Sequence, residues 1–422
     1  MRVNKLIVQF NKKTLFVYFL LIIIFFISDD TFTFGTIAKS SLISFKYILY
    51  VMVLICLISK TSFDYNIKKS SFYFFIILLS IIITFLLNFD FRGGYAYQLF
   101  VVVLAFFIVK KIEYDDFIKI YNKILFFLCN ASLLVFIVAN TYSDFLKYFP
   151  VYENIRGVEF ANLYIASVII KSVGVIRNTG IFREPGVYMI YILLGIIFEL
   201  FYFERPRIIF CIVFFTTLMT TYSTAGVVAF IVVITGYIIS SKSSTSWFKL
   251  IIFIISSLLI TYLLVNESSV SMLFSKIDQD SLSYNSTLAR IASIFVNLHI
   301  FMDNLLFGSG LTNYVTLYES TSNTLYGIPL RADGQSANSF MSLFATYGII
   351  YGSIVMFSFY KLAKKISKKT KMTISTLVIL TSFLLMFSNE DMRYSLLFNT
   401  IIFFGLAKDT IMLTVPLEKR AV

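Results

Sequence analysis

Long apolar runs separated by short polar punctuation fill most of the chain, at 14–28, 41–59, 71–88, 95–109, 118–140, 186–203, 207–222, 225–240, 247–265, 337–360, 372–388 and 394–412. The runs are continuous rather than alternating, the pattern of helices with apolar surroundings on every side. Several fall short of the ~20 residues that a bilayer core asks of a straight helix. Unbroken, the stretch 207–240 would make a helix of roughly 50 Å, too long for one crossing, and it divides at "YSTAG" (222–226). Twelve helical spans are predicted.

Two long interruptions stand out: loop A, 141–185, and loop B, 266–336. Loop A contains "ANLYIASVII" (161–170), stopped by Lys171. As a thirteenth span it would invert every later loop, so it reads as an interfacial or re-entrant segment. In loop B a helix is predicted over 287–306, with Asn285 or Ser286 as its cap. Ile291, Ile294, Leu298, Met302 and Leu305 form one apolar stripe at helical spacing, and Arg290, Ser293, Asn297 and Asn304 form a polar face. Such a helix lies on a membrane surface or roofs a cavity, polar side inward.

Composition sharpens this picture. Hydrophobic residues make up 58% of the 422 and charged ones 14%, against about 25% in soluble proteins, and mean hydropathy is +0.84. The chain reads as an all-α polytopic membrane protein, one integral membrane domain over 1–422. Its net charge of +13 does not point to nucleic acid, because the lysines sit between apolar runs, where cytoplasmic loops carry them. With a cytoplasmic N-terminus, 20 of 25 lysines fall on the inner side, including the cluster "KLAKKISKKTK", and both termini are then cytoplasmic. The first run follows a basic stretch and lacks a small-x-small cleavage site, as a retained signal anchor does. Cys56, Cys129 and Cys211 lie inside apolar runs without metal spacing.

Arginine is distributed differently. Seven of the eleven fall on the outer side: Arg92, Arg156, Arg177, Arg183, Arg290, Arg331 and Arg393. That side also holds 15 of the 23 acids, so the arginines do not make a general cationic surface. Either they pair singly with surface acids, which contributes little, or a few converge on an anionic ligand, for which the guanidinium fork is suited. The stretch "RNTGIFREPG" at the end of loop A focuses the question. Pro185 suits a first helical turn, and Glu184 complements the positive end of a helix. Neither explains Arg177, Arg183 or the flexible Gly180 between them.

Arg177-x-x-Gly180-x-x-x-Glu184-Pro185, opening a membrane helix after a long outer loop, resembles the O-antigen polymerase and O-antigen ligase-like superfamily. Arg290 followed by "NLLFGSGLTNY" (304–314) is similar to that family's Arg-helix-"PLFGxGxxxF" element, with Leu305 where proline is usual. "ANSFMSLFATYG" (337–348) is similar to its third element, but Ala337 stands where the ligases carry histidine. The chain's one histidine, His299, lies four residues before Asp303, where a local pair accounts for it. The resemblance therefore favours polymerase over ligase.

It implies a metal-independent glycosyltransferase of the bacterial inner membrane, with about twelve spans and two long periplasmic loops. Such an enzyme joins polyprenyl-pyrophosphate-linked oligosaccharide repeats of an O-antigen or capsule on the periplasmic face. It implies no cofactor; the expected partners are the lipid-linked substrate, membrane lipids and a chain-length regulator protein. Arg177, Arg183, Glu184 and Arg290 are the catalytic candidates, and Gly180, Asn338, Arg331 and Tyr314 the substrate-binding ones. Glu184 either positions or deprotonates the acceptor hydroxyl or merely terminates its helix. Tyrosines of the loops, Tyr314 among them, either stack on sugar rings or belong to an interfacial belt. An O-antigen ligase and a flippase or other transporter are the alternatives; a transporter would show repeated halves and charges near mid-membrane. No internal repeat is present, and Lys46, Lys123 and Glu199 lie near span ends, within snorkelling reach.

Overall fold

The computed structural model describes residues 12–35, 40–59, 68–153, 158–170, 175–240, 282–369 and 373–407. The predicted span at 247–265, the start of loop B, Arg156 and both termini lie outside them. Helices occupy the other apolar runs: α1 (Lys12–Phe26), the short α2 (Phe32–Gly35), α3 (Ser40–Ser59), α4 (Lys68–Leu87), α5 (Gly93–Lys111), α6 (Tyr114–Thr141), α7 (Pro185–Phe201), α8 (Ile208–Thr220) and α9 (Thr224–Ser240). After the undescribed segment come α10 (Leu282–Asp303), α11 (Leu311–Tyr326), the short α12 (Ala332–Gln335), α13 (Ser339–Lys369), α14 (Thr373–Phe387) and α15 (Leu396–Leu406). Among the described residues, α3, α5, α6 and α13 are long and apolar enough to cross a membrane, and six further helices are shorter and apolar.

The chain is a mostly helical, membrane-embedded protein. Phe72, Phe75, Phe127, Leu134 and Leu377 point outward, each more than 60% exposed, which a lipid environment rewards and water would penalise. Every residue of α7 is buried, so this helix forms the axis around which α6, α8 and α9 pack. Its aromatic neighbours interlock, with the Phe182 and Tyr191 rings 4.2 Å apart.

In loop A the run 161–170, read from the sequence as an interfacial or re-entrant segment, is strand and turn. The loop folds into a four-stranded antiparallel meander: β1 (Val151–Glu153), β2 (Glu159–Asn162), β3 (Ser167–Ile169) and β4 (Arg177–Gly180). The run "ANLYIASVII" supplies the end of β2, all of β3 and the turn between them. Ala161 and Val168 pair across the hairpin and are buried with Ala139 of α6 and Leu146. These apolar side chains fill a small core of their own, and the backbone pairs along the ladders β1–β2, β2–β3 and β3–β4.

The "YSTAG" break lies where the sequence places it, between α8 and α9, with Tyr222 at φ 48°. α10 begins at Leu282, so Asn285 and Ser286 lie within the helix rather than capping it. Its faces are sorted as the periodicity predicts: Ser293 and Asn297 are buried, whereas Ile291, Ile294, Leu298, Met302 and Leu305 are exposed. α13 is interrupted at Gly348 (φ 78°, ψ −172°). The "LFGSG" turn fills the gap: Ser309 N–H donates to Ala345 O at 2.9 Å, Gly310 N–H to Thr346 O at 3.1 Å, and Ile349 N–H to Leu305 O at 2.8 Å. An added Cβ at Gly308 would lie 2.3 Å from the Thr346 carbonyl, and one at Gly348 would lie 2.3 Å from the Leu306 oxygen. The glycines of the second and third motif-like segments thus serve one joint.

Lys46 and Glu199 do not snorkel. Lys46 is buried and paired with Asp29. Glu199 is fully buried, accepting from Arg207 Nε at 2.8 Å and Nη2 at 2.7 Å and from Asn122 Nδ2 at 2.9 Å. Buried charges with that degree of pairing are the tolerable kind.

Candidate active site

β4 delivers the chain into α7, and its anchoring explains where the charged residues of "RNTGIFREPG" go. Asn178 is fully buried, donating to Ser132 Oγ at 3.2 Å and Thr220 Oγ1 at 3.0 Å. Arg177 Nε donates to the Thr221 carbonyl at 3.0 Å. Gly180 turns the chain with φ 56°, and a Cβ there would press on the Tyr188 ring at 2.8 Å. Beyond the turn, Phe32 N–H donates to Ile181 O at 2.8 Å and Arg183 N–H to Asp30 O at 2.9 Å. The loop after α1 therefore holds the 181–183 segment against the start of α7. Glu184 stands at the N-cap position, but its side chain makes no capping bond. It faces a cavity instead.

That cavity, of about 860 Å³, is walled by Arg183 and Glu184, by α11 and the 332–337 segment, and by residues from four other places. Asp29, Asp30 and Lys46 come from the α1–α3 connection and α3; Arg92 and Tyr97 from the start of α5; Arg290 from α10; and Glu390, Asp391 and Arg393 from the loop between α14 and α15. All of these segments except Lys46 and Tyr97 lie in connections that the lysine pattern assigns to one side. The volume is within the roughly 300–1,000 Å³ usual for small-ligand sites. Five cations and five carboxylates line it, so the site is a charge-balanced network rather than a cationic bowl.

Several of these charges are committed to one another. Arg393 Nη2 meets Asp391 Oδ2 at 2.7 Å, its Nη1 donates to Thr346 Oγ1 at 2.9 Å, and its guanidinium lies 5.0 Å from the Tyr314 ring centre. Burial works against the Arg393 charge, but Asp391 raises its pKa well above the ordinary arginine value. Lys46 and Tyr97 both donate to the Asp29 carboxylate. Asp30 is buried and accepts the hydroxyls of Tyr191 (2.8 Å) and Ser395 on one oxygen. Burial raises its pKa against the opposing pull of Arg183.

The remaining arginines face carboxylates. Arg183 donates to the Asp391 carbonyl at 2.8 Å. Burial opposes its charge, but Glu184, Asp30, Glu390 and Asp391 together raise its pKa. Arg290 Nη2 stands 3.6 Å from Glu390 Oε1. Arg177 is brought down to about 10, first by burial and then by the like charge of Arg290, with Glu184 and Glu390 pulling the other way.

The eight sequence-derived candidates divide accordingly. Arg183, Glu184, Arg290 and Tyr314 line the cavity, whereas Arg177, Gly180, Asn338 and Arg331 do not. Arg177 stands behind the wall, within electrostatic reach of Arg290, Glu184 and Glu390. Gly180 serves the turn. Asn338 Oδ1 accepts Met341 N–H at 2.9 Å, capping α13. Arg331 is exposed, its backbone N–H bonded to Gln335. Tyr314 is 2% exposed, bonded to Ser336 Oγ at 2.6 Å and faced by Arg393, so its ring is wall rather than a stacking platform. Ala337 also lines the cavity. His299 is exposed and outside the lining, and it makes no ion pair with Asp303.

Asp29, Asp30, Lys46, Glu390 and Asp391 complete the site without having been site candidates from the sequence, together with Arg92 and Arg393, which had stood only among the seven outer-side arginines. One signal was available: "NEDMRY" (389–394) concentrates three charges in a short connection between apolar runs. Among the described residues, no three His, Cys, Asp or Glu side chains gather as metal ligands. The fold and the cavity together define a helical membrane protein with a charged, partly open cavity at the ends of its helices. No family model matches the chain, and no curated protein matches it significantly.

Proposed function

We propose that this protein is an O-antigen or capsule repeat-unit polymerase, a glycosyltransferase joining polyprenyl-pyrophosphate-linked oligosaccharides on the periplasmic face of a bacterial inner membrane. The observation that carries the reading is the meeting of Arg183 and Glu184 with Arg290 at one cavity. These residues belong to two separate elements whose order and spacing resemble the polymerase and ligase superfamily. The alternative of isolated surface pairs does not describe them.

In this reading an acceptor hydroxyl attacks the anomeric carbon of the donor, a C–O bond forms, and the bond from that carbon to the lipid pyrophosphate breaks. Negative charge grows on the departing phosphate oxygens, and preorganised cations in a water-poor site are the strongest lever on such a step. Arg183 and Arg290 supply them directly, with Arg177 behind. Glu184, uncommitted to capping, receives the acceptor proton. Arg393 and Lys46, each held by its own carboxylate, shape the wall. Ala337 in the lining favours polymerase over a ligase that works through histidine there.

Twelve spans, cytoplasmic termini and periplasmic loops A and B belong to the same proposal. Ser320→Cys should react with an impermeant maleimide in intact cells lacking the three native cysteines, and Lys364→Cys only after permeabilisation. Labelling of residue 364 in intact cells would reverse the orientation. Gene deletion tests the activity. Collapse of the surface-polysaccharide ladder to a single-repeat band supports a polymerase. Full-length polymer left unattached to lipid A would indicate a ligase, and lipid-linked repeats trapped inside would indicate a flippase.

A further inference from the structure

Glu390 occupies an unusual place for a carboxylate on a short loop. Its side chain lies against the first turn of α7, so close that a Cβ on Gly186 would fall 1.8 Å from Glu390 Oε1. Glu390 is 7% exposed, Arg290 Nη2 stands 3.6 Å from the same oxygen, and Glu390 acts electrostatically on both Arg177 and Arg183. Arg183 keeps a buried donor, Nε, that has no hydrogen-bond partner. Two arginines at the cavity with a third behind them, a helix N-terminus and a glycine that permits close approach are the fittings of a phosphate seat. In this structure a carboxylate of the protein's own fills it.

We infer that Glu390 is a built-in stand-in for substrate phosphate, occupying the seat formed by Gly186, Arg183 and Arg290, with Arg177 behind it, until the pyrophosphate of a prenyl-linked substrate displaces it. The inference rests on the proposed polymerase reading for the identity of the ligand, but its geometry does not. A resident carboxylate holds three like charges together when no substrate is bound, which otherwise repel in a poorly solvated site. It also keeps stray anions out. The cost is apparent affinity, since the ligand binds only the fraction of molecules in which the seat is open. Both effects make the seat selective for an anion with more charge and more oxygens than a carboxylate has.

The test is binding of farnesyl pyrophosphate to the purified full-length protein in detergent, with farnesol as the uncharged control and inorganic pyrophosphate as the lipid-free one. Glu390→Gln removes the competing charge at nearly constant shape. Farnesyl pyrophosphate should bind about tenfold more tightly, as expected if Glu390 holds the seat about nine-tenths of the time. Inorganic pyrophosphate should gain by a similar factor from a weaker baseline, and farnesol should not gain. Gly186→Ala, whose Cβ takes the space itself, should weaken both pyrophosphates in the wild-type and Glu390→Gln backgrounds.

Unchanged or weaker binding in Glu390→Gln would overturn the inference and make Glu390 a scaffold for the arginines. Should Glu390→Gln fail to fold, unchanged pyrophosphate binding in Gly186→Ala would overturn it equally, because the anion would then sit elsewhere. A gain for inorganic pyrophosphate alone would remove the prenyl-linked ligand from the inference. These outcomes are separable from the polymerase reading. Loss of the ladder on gene deletion with no effect of Glu390→Gln sinks the seat alone, and tighter binding with an intact ladder sinks the polymerase alone.

Discussion

Arg183 and Asp30, far apart in the chain, are joined twice: the Arg183 amide donates to the Asp30 carbonyl at 2.9 Å, and the Arg183 charge offsets part of the cost of burying the Asp30 carboxyl. The first contact sets where the backbone before α7 runs. The second gives the site a titratable partner.

That partner makes stability depend on pH in a definite sense. Burial raises the Asp30 pKa, outweighing Arg183 and the hydroxyls of Ser395 and Tyr191. A carboxyl raised in the folded state contributes stability below its unfolded pKa, about 4, and that contribution is lost as pH rises through the raised value. Thermal unfolding in detergent should therefore show a decline with rising pH that Asp30→Asn, which still accepts both hydroxyls, removes. The same slope in both proteins would assign it to other groups.

The arginine series separates wall from surface. Arg183→Lys and Arg290→Lys keep charge but lose the fork, and each should cut polymer yield about ten- to a hundredfold, the scale of a lost charge-assisted hydrogen bond of about 1.5–3 kcal/mol. Arg177→Lys should also shorten the ladder, through its reach to Glu184 and Glu390. Arg92→Lys, silent if judged from its short loop alone, is expected to lower yield because Arg92 lines the cavity. Arg331→Lys should be silent. Equal, mild effects of all five at matched membrane levels would return the arginines to ordinary surface pairing.

His299→Ala should leave the ladder within about twofold of wild type at equal protein level, as surface substitutions away from special features usually do. His299 is exposed and stands outside the cavity lining. Abolition of polymer would make it a proton carrier and displace Glu184 from that role.

Gly348→Ala should be poorly tolerated. The residue has φ 78°, and the added Cβ meets the Leu306 carbonyl oxygen at 2.3 Å, a backbone atom that cannot swing aside. A cost of at least about 1–3 kcal/mol is expected from the conformation alone, measured as a lower unfolding temperature and reduced membrane level. Gly93→Ala is the control, because nothing lies within 4 Å of its Cβ position. Equal behaviour of the two would show that the joint at 348 relaxes.

Apolar periodicity made the helices legible, including the break near Tyr222 and the inward polar face of α10, because runs and stripes are local properties. It failed on 161–170, where a short apolar run suits a strand, a helix or a membrane segment equally. The partners that settle the matter, Ala139 and Leu146, lie outside that run. The site was legible where charge broke an apolar pattern, at Arg183, Glu184 and Arg290. It was not legible at Asp30, Lys46, Glu390 or Arg393, whose significance comes from tertiary convergence. Lys46 misled most, since a lysine near a span end ordinarily reaches for water, and only Asp29 and Tyr97 explain why this one is kept inside.

The joint at Gly348 bears on how the chain is assembled. Freed carbonyls at Ala345 and Thr346 and the Ile349 amide are satisfied by the 305–310 turn, not by their own helix, and lipid offers no substitute partner. An α13 segment entering the bilayer ahead of that turn would expose unpaired backbone to hydrocarbon. The two halves of α13 therefore complete their backbone pairing only with the 305–310 turn in place, so that part of loop B and α13 fold as one unit. A single-residue insertion between 305 and 310 would shift those partners out of register and leave the break at Gly348 unsatisfied.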